Sequence, residues 1–338
     1  MAEKKLLRAA IIGYGAAFNM GRHHARAINH TEGMKTVAIV DIDPKRTEAA
    51  KEDFPDVETF NSVDALLEWD QFDVAVNVLP HNLHHPMTLP FLKAGKHAVV
   101  EKPFTITVAE ATELIETAKE KGVVLTVHHN RRWDADFWTL KGLVESGVIG
   151  QVFNVEMWGG GYGRPNPNWW RSKKEISGGA FYDWGAHYID WLLNVVHSKM
   201  VNVVGFYHNL VWHDISNEDH VHAIIRFENG CSADIQMSSI AKVGKPRWRL
   251  LGSHGAIVSE DKQFRVYSEV PGQPKEQTVP YQGRPGPSFY QNFVAHVNDP
   301  ERVPLIVTPE SARRVIAVLE LAEKSSKSHA AEPVPYEF

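Results

Sequence analysis

Short apolar runs alternate with amphipathic stretches through the first 128 residues of the chain. The runs are nearly continuous in apolar residues, as expected for strands buried on both faces of a parallel sheet. The predicted strands are Leu7–Ile12, Thr36–Asp41, Asp73–Leu79, His97–Glu101 and Val123–His128, and predicted helices between them include Val63–Trp69, His84–Lys93 and Val108–Lys121. This alternation predicts an α/β domain over residues 1–128 with a doubly wound parallel sheet.

The alternation stops at about residue 130, after which strand-like runs are separated by glycine, asparagine and proline. A helix is predicted at Phe137–Ser146 and another at Pro309–Ser325. The predicted strands are Gln151–Trp158, Val201–Tyr207, His220–Phe227, Cys231–Met237, Arg247–Gly252 and Phe264–Tyr267. The sequence Glu228-Asn229-Gly230 between two of them is a hairpin signal. We therefore predict a second domain, residues 129–338, with one antiparallel sheet and helices on one face.

The first predicted strand leads into a glycine turn, Gly13-Tyr14-Gly15, and a helical pattern begins at Gly21. In this context the glycines let backbone N–H groups approach a pyrophosphate at a helix N-terminus. The usual third glycine, three residues after Gly15, is Phe18 here, so the loop is predicted to be three residues longer than standard. The second strand ends in Asp41, whose carboxylate would accept hydrogen bonds from the adenosine ribose and repel a 2′-phosphate, which favours NAD over NADP.

Composition excludes several classes of protein. A net charge of −5 without a long basic run argues against nucleic acid as the main partner. The single cysteine, Cys231, rules out an internal disulfide and fits a reducing compartment. No apolar run reaches the roughly 18 residues that a membrane span needs. The N-terminal apolar run leads straight into the glycine turn and is interpreted as a strand, not a signal peptide. We expect a soluble, cytoplasmic protein.

The segment Ser177–Asp190 carries three ionisable side chains at helical spacing. If it is helical, Asp183, His187 and Asp190 occupy positions i, i+4 and i+7 and project from one face. A histidine beside carboxylates suits proton transfer to or from a hydroxyl group, because it changes charge near neutral pH. The alternative is that Asp183 is a cap and His187 a core histidine.

Lys102 stands between a buried strand and a proline, at the edge of the sheet where a ligand crevice is expected. There it could stabilise alkoxide character on a substrate oxygen, and the alternative is an exposed loop lysine. The segment Gly159–Lys174 has no periodicity and is predicted to be a loop over the pocket, where its aromatics stack on a sugar ring or pack on the sheet. The 18 histidines lack the spacing of known metal motifs, so no metal is predicted.

Gly13-x-Gly15, Asp41 and two longer strings together resemble the Gfo/Idh/MocA oxidoreductases, a family that takes in glucose–fructose oxidoreductase and inositol dehydrogenases. The strings are AGKHAVVEKP, which ends at Pro103, and GGAFYDWGAHYID, which ends at Asp190. The resemblance runs from Arg8 to about Ala322. It implies an N-terminal Rossmann domain and a C-terminal α+β domain with a large, open, mostly antiparallel sheet.

The resemblance also assigns roles to individual residues. The pocket-lining lysine, aspartate and histidine of the family fall on Lys102, Asp183 and His187, which are the predicted catalytic residues. The predicted cofactor-binding residues are Gly13, Gly15, Asp41, Pro80, His84 and Glu101. The predicted substrate-binding residues are Arg132, Trp170, Arg171 and Asp190. The family's Thr-Pro-Asn after the fourth strand is Leu79-Pro80-His81 here, so contacts near the nicotinamide are expected to differ.

We predict an NAD-dependent dehydrogenase that oxidises a secondary hydroxyl of a sugar, sugar derivative or cyclitol. In this mechanism His187 takes the proton, Asp183 orients and charges the imidazole, and Lys102 stabilises the alkoxide. Two alternatives remain: an NAD-dependent, redox-assisted glycoside hydrolase and a catalytically silent sugar-sensing relative. A homo-oligomer, dimer or tetramer, is expected because the exposed face of an open sheet needs covering.

Overall fold

The computed structural model describes residues 6–15 and 18–335. By its internal contacts the chain divides into two compact units. Among the described residues, the first contains 6–15, 18–128 and 286–313, and the second contains 129–285 and 314–335. The segment 286–313 therefore groups with the N-terminal unit although it follows most of the second unit in sequence.

The bounds of the regular elements follow the chain. The strands are β1 (Leu7–Ile12), β2 (Met34–Val40), β3 (Glu58–Phe60), β4 (Val74–Asn77), β5 (His97–Val100), β6 (Leu125–Val127), β7 (Val152–Gly160), β8 (Met200–His208), β9 (His220–Phe227), β10 (Ser232–Ser238), β11 (Trp248–Gly252), β12 (Gly255–Glu260), β13 (Gln263–Ser268), β14 (Glu276–Pro280) and β15 (Glu332–Pro333). The helices are α1 (Met20–Asn29), α2 (Pro44–Asp53), α3 (Val63–Trp69), α4 (His84–Lys93), α5 (Val108–Lys121), α6 (Ala135–Glu145), α7 (Lys174–Ser177), α8 (Ala180–Val195), α9 (Phe289–Asn298) and α10 (Pro309–Ser328).

The first unit is built on a six-stranded parallel sheet in the order β3-β2-β1-β4-β5-β6. The strand order reverses between β1 and β4, and in such sheets ligands bind beyond the carboxyl ends of the strands at this switch point. The predicted Rossmann-type sheet is confirmed, and β3 is an additional edge strand that the sequence analysis missed. Part of its core lies between β1, β2 and the helices on one face, where Ile12, Val40, Leu66, Phe72 and Phe91 are buried.

The second unit is built on a nine-stranded sheet in the order β14-β13-β12-β11-β7-β10-β9-β8-β15. Its neighbouring strands are antiparallel except for β7 and β10, which run parallel. The predicted mostly antiparallel sheet is confirmed, and so is the hairpin, since β9 pairs with β10 through a turn in which Gly230 has φ +84°. The sequence analysis missed β12, β14, β15 and α9, and α10 extends beyond its predicted end to Ser328.

Among the described residues, no helix is long and apolar enough to cross a membrane.

Candidate cofactor and substrate site

The glycine turn after β1 depends on close backbone packing. Gly13 has φ +102°, and a Cβ there would lie 3.0 Å from Leu79 Cδ2. A Cβ on Gly21 would lie 2.5 Å from the carbonyl oxygen of Gly13, so Gly21 allows the close approach that the third glycine of the fingerprint usually provides. A Cβ on Gly15 would meet no described atom within 4 Å, which leaves the backbone there open to a ligand. Residues 16 and 17 of the longer loop lie outside the described residues.

Asp41 follows β2 and is tied to the glycine turn. Its Oδ2 accepts a hydrogen bond from the Tyr14 amide at 2.7 Å, and its Oδ1 accepts one from the Asp43 amide at 3.0 Å. Each carboxylate oxygen has a further lone pair, so a ribose hydroxyl can also donate to it. Arg46 lies 3.8 Å from the Asp43 carboxylate, as expected for a first-turn arginine of α2. The residues at this edge fit a dinucleotide.

Pro80 precedes a short 3₁₀ turn, and His84 opens α4. The His84 side chain is fully buried, with Nδ1 at 2.6 Å from the Pro103 carbonyl oxygen and Nε2 at 2.9 Å from that of Leu79. Burial lowers the pKa of His84, against the opposing effect of the two carbonyls. The side chain thus joins the loops after β4 and β5, and its predicted cofactor contact stays a prediction.

Glu101 follows β5, and its carboxylate is surrounded by donors. Oε1 lies 2.9 Å from His24 Nε2 and 2.7 Å from His128 Nδ1, and Oε2 accepts from the Lys102 amide at 3.0 Å. His24 Nδ1 lies 2.5 Å from the Tyr290 hydroxyl. Burial by itself would raise the pKa of Glu101, but His128 and His24 outweigh it and hold that pKa well below its usual range.

The ligand atoms of His24, Glu101 and His128 lie within 4.8 Å of one another, which is the grouping of a possible metal site. The atoms that face each other already meet at hydrogen-bonding distance, so the geometry is accounted for without an ion.

In the second unit, α8 begins at a pair of glycines with positive φ, +85° at Gly178 and +127° at Gly179. The Ala180 amide donates to Glu218 Oε2 at 3.0 Å, and a Cβ on Gly179 would lie 2.9 Å from that oxygen. The glycines therefore let Glu218 cap the helix, where a negative charge also complements the helix dipole. The predicted helix over this segment is confirmed.

Asp183, His187 and Asp190 form a stripe along α8, and they become less exposed to solvent from the first residue to the last. Asp183 is 35% exposed, and its Oδ1 lies 3.6 Å from Arg171 Nε. His187 is 5% exposed, and its ring stacks at 6.3 Å on that of Trp191. Asp190 is 2% exposed. Only the first of the three is open enough to meet solvent freely, while the His187 imidazole packs against the rings of Trp184 and Trp191.

Asp190 and Arg132 form a buried, bidentate ion pair. Arg132 Nη2 donates to Oδ1 at 2.6 Å and Nε donates to Oδ2 at 2.9 Å. His129 Nδ1 lies 3.9 Å from the same carboxylate. Burial by itself would raise the pKa of Asp190, but Arg132 and His129 outweigh it and lower that pKa. These two predicted substrate-binding residues thus contact each other, and their contact with a hydroxyl stays a prediction.

Arg171 lies on a 3₁₀ turn, Trp170–Ser172, inside the segment predicted to be a loop. Its guanidinium lies over the ring of Trp170 at 4.6 Å and over that of Trp169 at 5.1 Å. The predicted pair Trp170 and Arg171 is therefore in contact, and Arg171 is also beside Asp183.

The sequence analysis missed four side chains that support these groups: His24, Asn77, His128 and Glu218. The Asn77 amide nitrogen lies 3.2 Å from the His84 carbonyl oxygen, and its Oδ1 accepts from the Leu79 amide at 3.1 Å, which fixes the loop after β4. A signal existed for Asn77, because it is the polar residue near the end of an apolar strand. His128 follows β6 at the same edge, but no local pattern could pair it with Glu101.

Two family profiles match the chain. Residues 7–129 match the "Oxidoreductase family, NAD-binding Rossmann fold", and residues 137–258 match the "GFO/IDH/MocA C-terminal domain". Together they cover more than half of the sequence. The chain belongs to the Gfo/Idh/MocA family of NAD(P)-binding oxidoreductases, as the motifs indicated.

Two named relatives and one solved structure are similar to most of the chain. The chain is 27% identical to scyllo-inositol 2-dehydrogenase (NADP(+)) of Bacillus subtilis (strain 168) over 95% of this chain and 94% of that one. It is 27% identical to myo-inositol 2-dehydrogenase of Thermotoga maritima over 75% of each. A solved NAD-binding protein from Listeria innocua superposes with a TM-score of 0.84 at 28% identity, over 97% of both chains.

Proposed function

We propose that this protein is an NAD-dependent dehydrogenase that oxidises a secondary hydroxyl group of a sugar, sugar derivative or cyclitol. The observation that carries the proposal is the stripe on α8, where Asp183 and His187 stand one turn apart on one face of the helix. The two relatives named as inositol 2-dehydrogenases support a cyclitol as the first class to test.

In the proposed mechanism His187 takes the proton of the substrate hydroxyl. Proton transfer of this kind is helped by a defined orientation of the imidazole, and the packing of His187 against Trp191 supports one. Asp183 stabilises the positive charge that His187 gains, and Arg171 Nε lies 3.6 Å from the Asp183 carboxylate. Lys102 donates to the oxygen as alkoxide character develops. Bound NAD would supply the hydride acceptor for the carbon that carries this oxygen.

We propose further substrate contacts for the side chains that lie beside this stripe. Arg132, Asp190, Trp170 and Arg171 are the candidates. The Trp170 ring can stack on the apolar face of a sugar or cyclitol ring, while guanidinium and carboxylate groups bind its hydroxyls. Arg132 and Asp190 bind each other, so each would contact the substrate only through the donors or lone pairs that the ion pair does not use.

We propose that residues 1–128 bind the cofactor and residues 129–338 the substrate. Gly13, Gly15 and Asp41 would contact the pyrophosphate and ribose, and Pro80, His84 and Glu101 flank the nicotinamide end. The carboxylate of Asp41 supports NAD over NADP, because it repels a 2′-phosphate. Since the Bacillus subtilis relative is named for NADP(+), both cofactors belong in every assay.

We also propose a homo-oligomer through the open face of the nine-stranded sheet. Phe206, Ile224 and Tyr267 lie on one face by the pairing register and are 43%, 36% and 41% exposed. A second copy would cover these apolar side chains. Light scattering after chromatography should give a multiple of 38.0 kDa, and Ile224→Asp should reduce it. A monomeric wild type would contradict this.

The enzymatic test follows NAD(P)H absorbance with NAD or NADP against a panel of cyclitols, sugars and glycosides, with aglycone release measured in the same wells. His187→Ala and Lys102→Ala should each lower kcat by about 100-fold or more while leaving NAD affinity intact. Matched controls are His197→Ala and Lys119→Ala, whose side chains are 65% and 67% exposed.

The outcomes separate the functions. Accumulation of NADH with a cyclitol or sugar supports the dehydrogenase. Aglycone release without NADH would replace it with the redox-assisted hydrolase. Bound NAD with silence in both channels would favour a sensor.

A further inference from the structure

Lys102 in the first unit is flanked by two buried hydrogen-bond networks. Glu101 accepts from the Lys102 amide, and His84 contacts the carbonyl of Pro103, the next residue. We propose that Glu101 and His84 are positioning residues for Lys102, and that His24 acts through Glu101. This inference rests on the proposed role of Lys102 in the reaction.

In the network on the Glu101 side of Lys102, one arrangement of protons satisfies both contacts of His24 while its ring is neutral. Burial and the Glu101 carboxylate raise the pKa of Tyr290 well above its usual value, so its hydroxyl keeps its proton and donates to His24 Nδ1. His24 Nε2 then carries the hydrogen and donates to Glu101 Oε1 at 2.9 Å. One neutral tautomer of His24 therefore satisfies both contacts, as burial of this ring favours.

Glu101 stays ionised in this network, so its bond to the Lys102 amide is charge-assisted. His128 Nδ1 adds a second donor to Oε1 at 2.7 Å. Because the rings of His24 and His128 hold Oε1, the other carboxylate oxygen, Oε2, is held in a position that faces the Lys102 amide. The plane of the peptide that precedes the lysine is thereby determined.

The second network lies on the C-terminal side of Lys102 and is formed by the contacts of His84. Proline has no N–H, so the backbone of Pro103 can be held only through its carbonyl. It lies 2.6 Å from His84 Nδ1, and the Leu79 carbonyl lies 2.9 Å from Nε2. Both contacts are hydrogen bonds at once only if His84 is an imidazolium ion. In a neutral ring only one of the two contacts is a hydrogen bond, and the shorter distance assigns it to Nδ1 and the Pro103 carbonyl.

The decisive experiment is a double-mutant cycle on kcat/KM with Glu101→Gln and Lys102→Ala, singly and combined. Glu101→Gln alone should lower kcat/KM by about 10-fold to 100-fold, as expected for a displaced catalytic group, with any loss of NAD affinity too small to account for the effect. In the Lys102→Ala background the same change should cost less than about threefold. The matched control is Glu113→Gln, whose side chain is 51% exposed beside His85.

Three results would overturn the inference. Equal losses in both backgrounds would make Glu101 a general structural residue. A loss of NAD affinity that accounts for the whole effect would make it a cofactor ligand. Stoichiometric zinc in the purified protein, with activity lost on chelation and restored by zinc, would make the cluster a metal site.

If Glu101→Gln does not fold, the same cycle is run with His24 and His84. His24→Gln keeps a donor for Glu101 and should retain most activity, whereas His24→Leu should lose about 10-fold. His84→Leu should lower kcat similarly, again only when Lys102 is present. Equal effects of glutamine and leucine at position 24 would contradict the network.

A second readout does not depend on turnover. Hydrogen exchange of the Lys102 amide should become at least about 10-fold faster in Glu101→Gln, because its acceptor is weakened, and stay unchanged in Glu113→Gln. Unchanged exchange would overturn the positioning role even in an active enzyme. If Lys102→Ala leaves turnover intact, the proposed function fails instead, and the exchange result still decides whether the backbone is held as described.

Discussion

Replacing Asp190 with asparagine removes the charge from the buried ion pair while keeping its shape. The side chains of Asp190 and Arg132 are only 3% and 7% exposed. Arginine stays protonated in proteins, so the substitution leaves a guanidinium in the interior facing a neutral amide. The pair also joins α8 to the turn after β6, two segments 58 residues apart.

The expected cost follows from this burial. Removing one partner of a buried ion pair typically costs about 3–5 kcal/mol, because the remaining charge is uncompensated. The asparagine oxygen can still accept one of the two bonds, so we expect the lower end, about 3 kcal/mol. This corresponds to about a 100-fold shift in the folding equilibrium.

A neighbouring ion pair serves as the matched control. Arg131 Nη1 lies 2.7 Å from Asp134, and those side chains are 36% and 33% exposed. Because solvent screens such pairs, Asp134→Asn should cost at most about 1 kcal/mol. The two substitutions are chemically identical and differ mainly in burial.

Urea unfolding followed by tryptophan fluorescence measures both. Trp191 reports on this unit, since its Nε1 donates to the Arg131 carbonyl at 2.9 Å. The double variant Arg132→Met, Asp190→Leu should recover most of the loss, because it leaves no buried charge. A loss below about 1 kcal/mol for Asp190→Asn, equal to that of Asp134→Asn, would refute the reasoning that burial makes this pair costly to break.

Three further predictions concern the first unit. Gly15→Ala should keep the melting temperature but weaken NAD binding in titrations. Gly21→Ala should lower the melting temperature, since its Cβ would lie 2.5 Å from a backbone oxygen. A lower melting temperature for Gly15→Ala than for Gly21→Ala would contradict this. Asp41→Ser should raise the kcat/KM ratio of NADP to NAD by about 10-fold or more, and an unchanged ratio would argue against charge repulsion at this position. His24 and His84 have a lowered pKa in the folded protein, so below their ordinary pKa of 6.5 the unfolded chain binds more protons than the folded one. The free energy of unfolding should therefore fall as the pH is lowered, by up to about 1.4 kcal/mol per pH unit for each histidine. Urea midpoints that rise between pH 7.5 and about 5.5 would contradict that sign.

Local sequence patterns predicted many of the helices and strands. The helix Val108–Lys121 has both predicted ends because Thr107 and Glu110 form a capping box and Gly122 closes it with φ +63°. The short edge strands β3 and β15 were missed, since two or three residues carry no detectable periodicity and are defined only by pairing with a neighbour.

The sequence by itself determined the alternating first unit, the family and the stripe on α8, because the 3.6-residue helical repeat places Asp183 and His187 on one face wherever the helix lies. Only the tertiary structure decided the charge partners: Asp190 meets Arg132, and Glu101 meets His24, 77 residues away. It also decided that Gly21 packs on the glycine turn. These contacts depend on how distant segments approach one another, and burial, which sets the pKa of each group, exists only once the chain has folded.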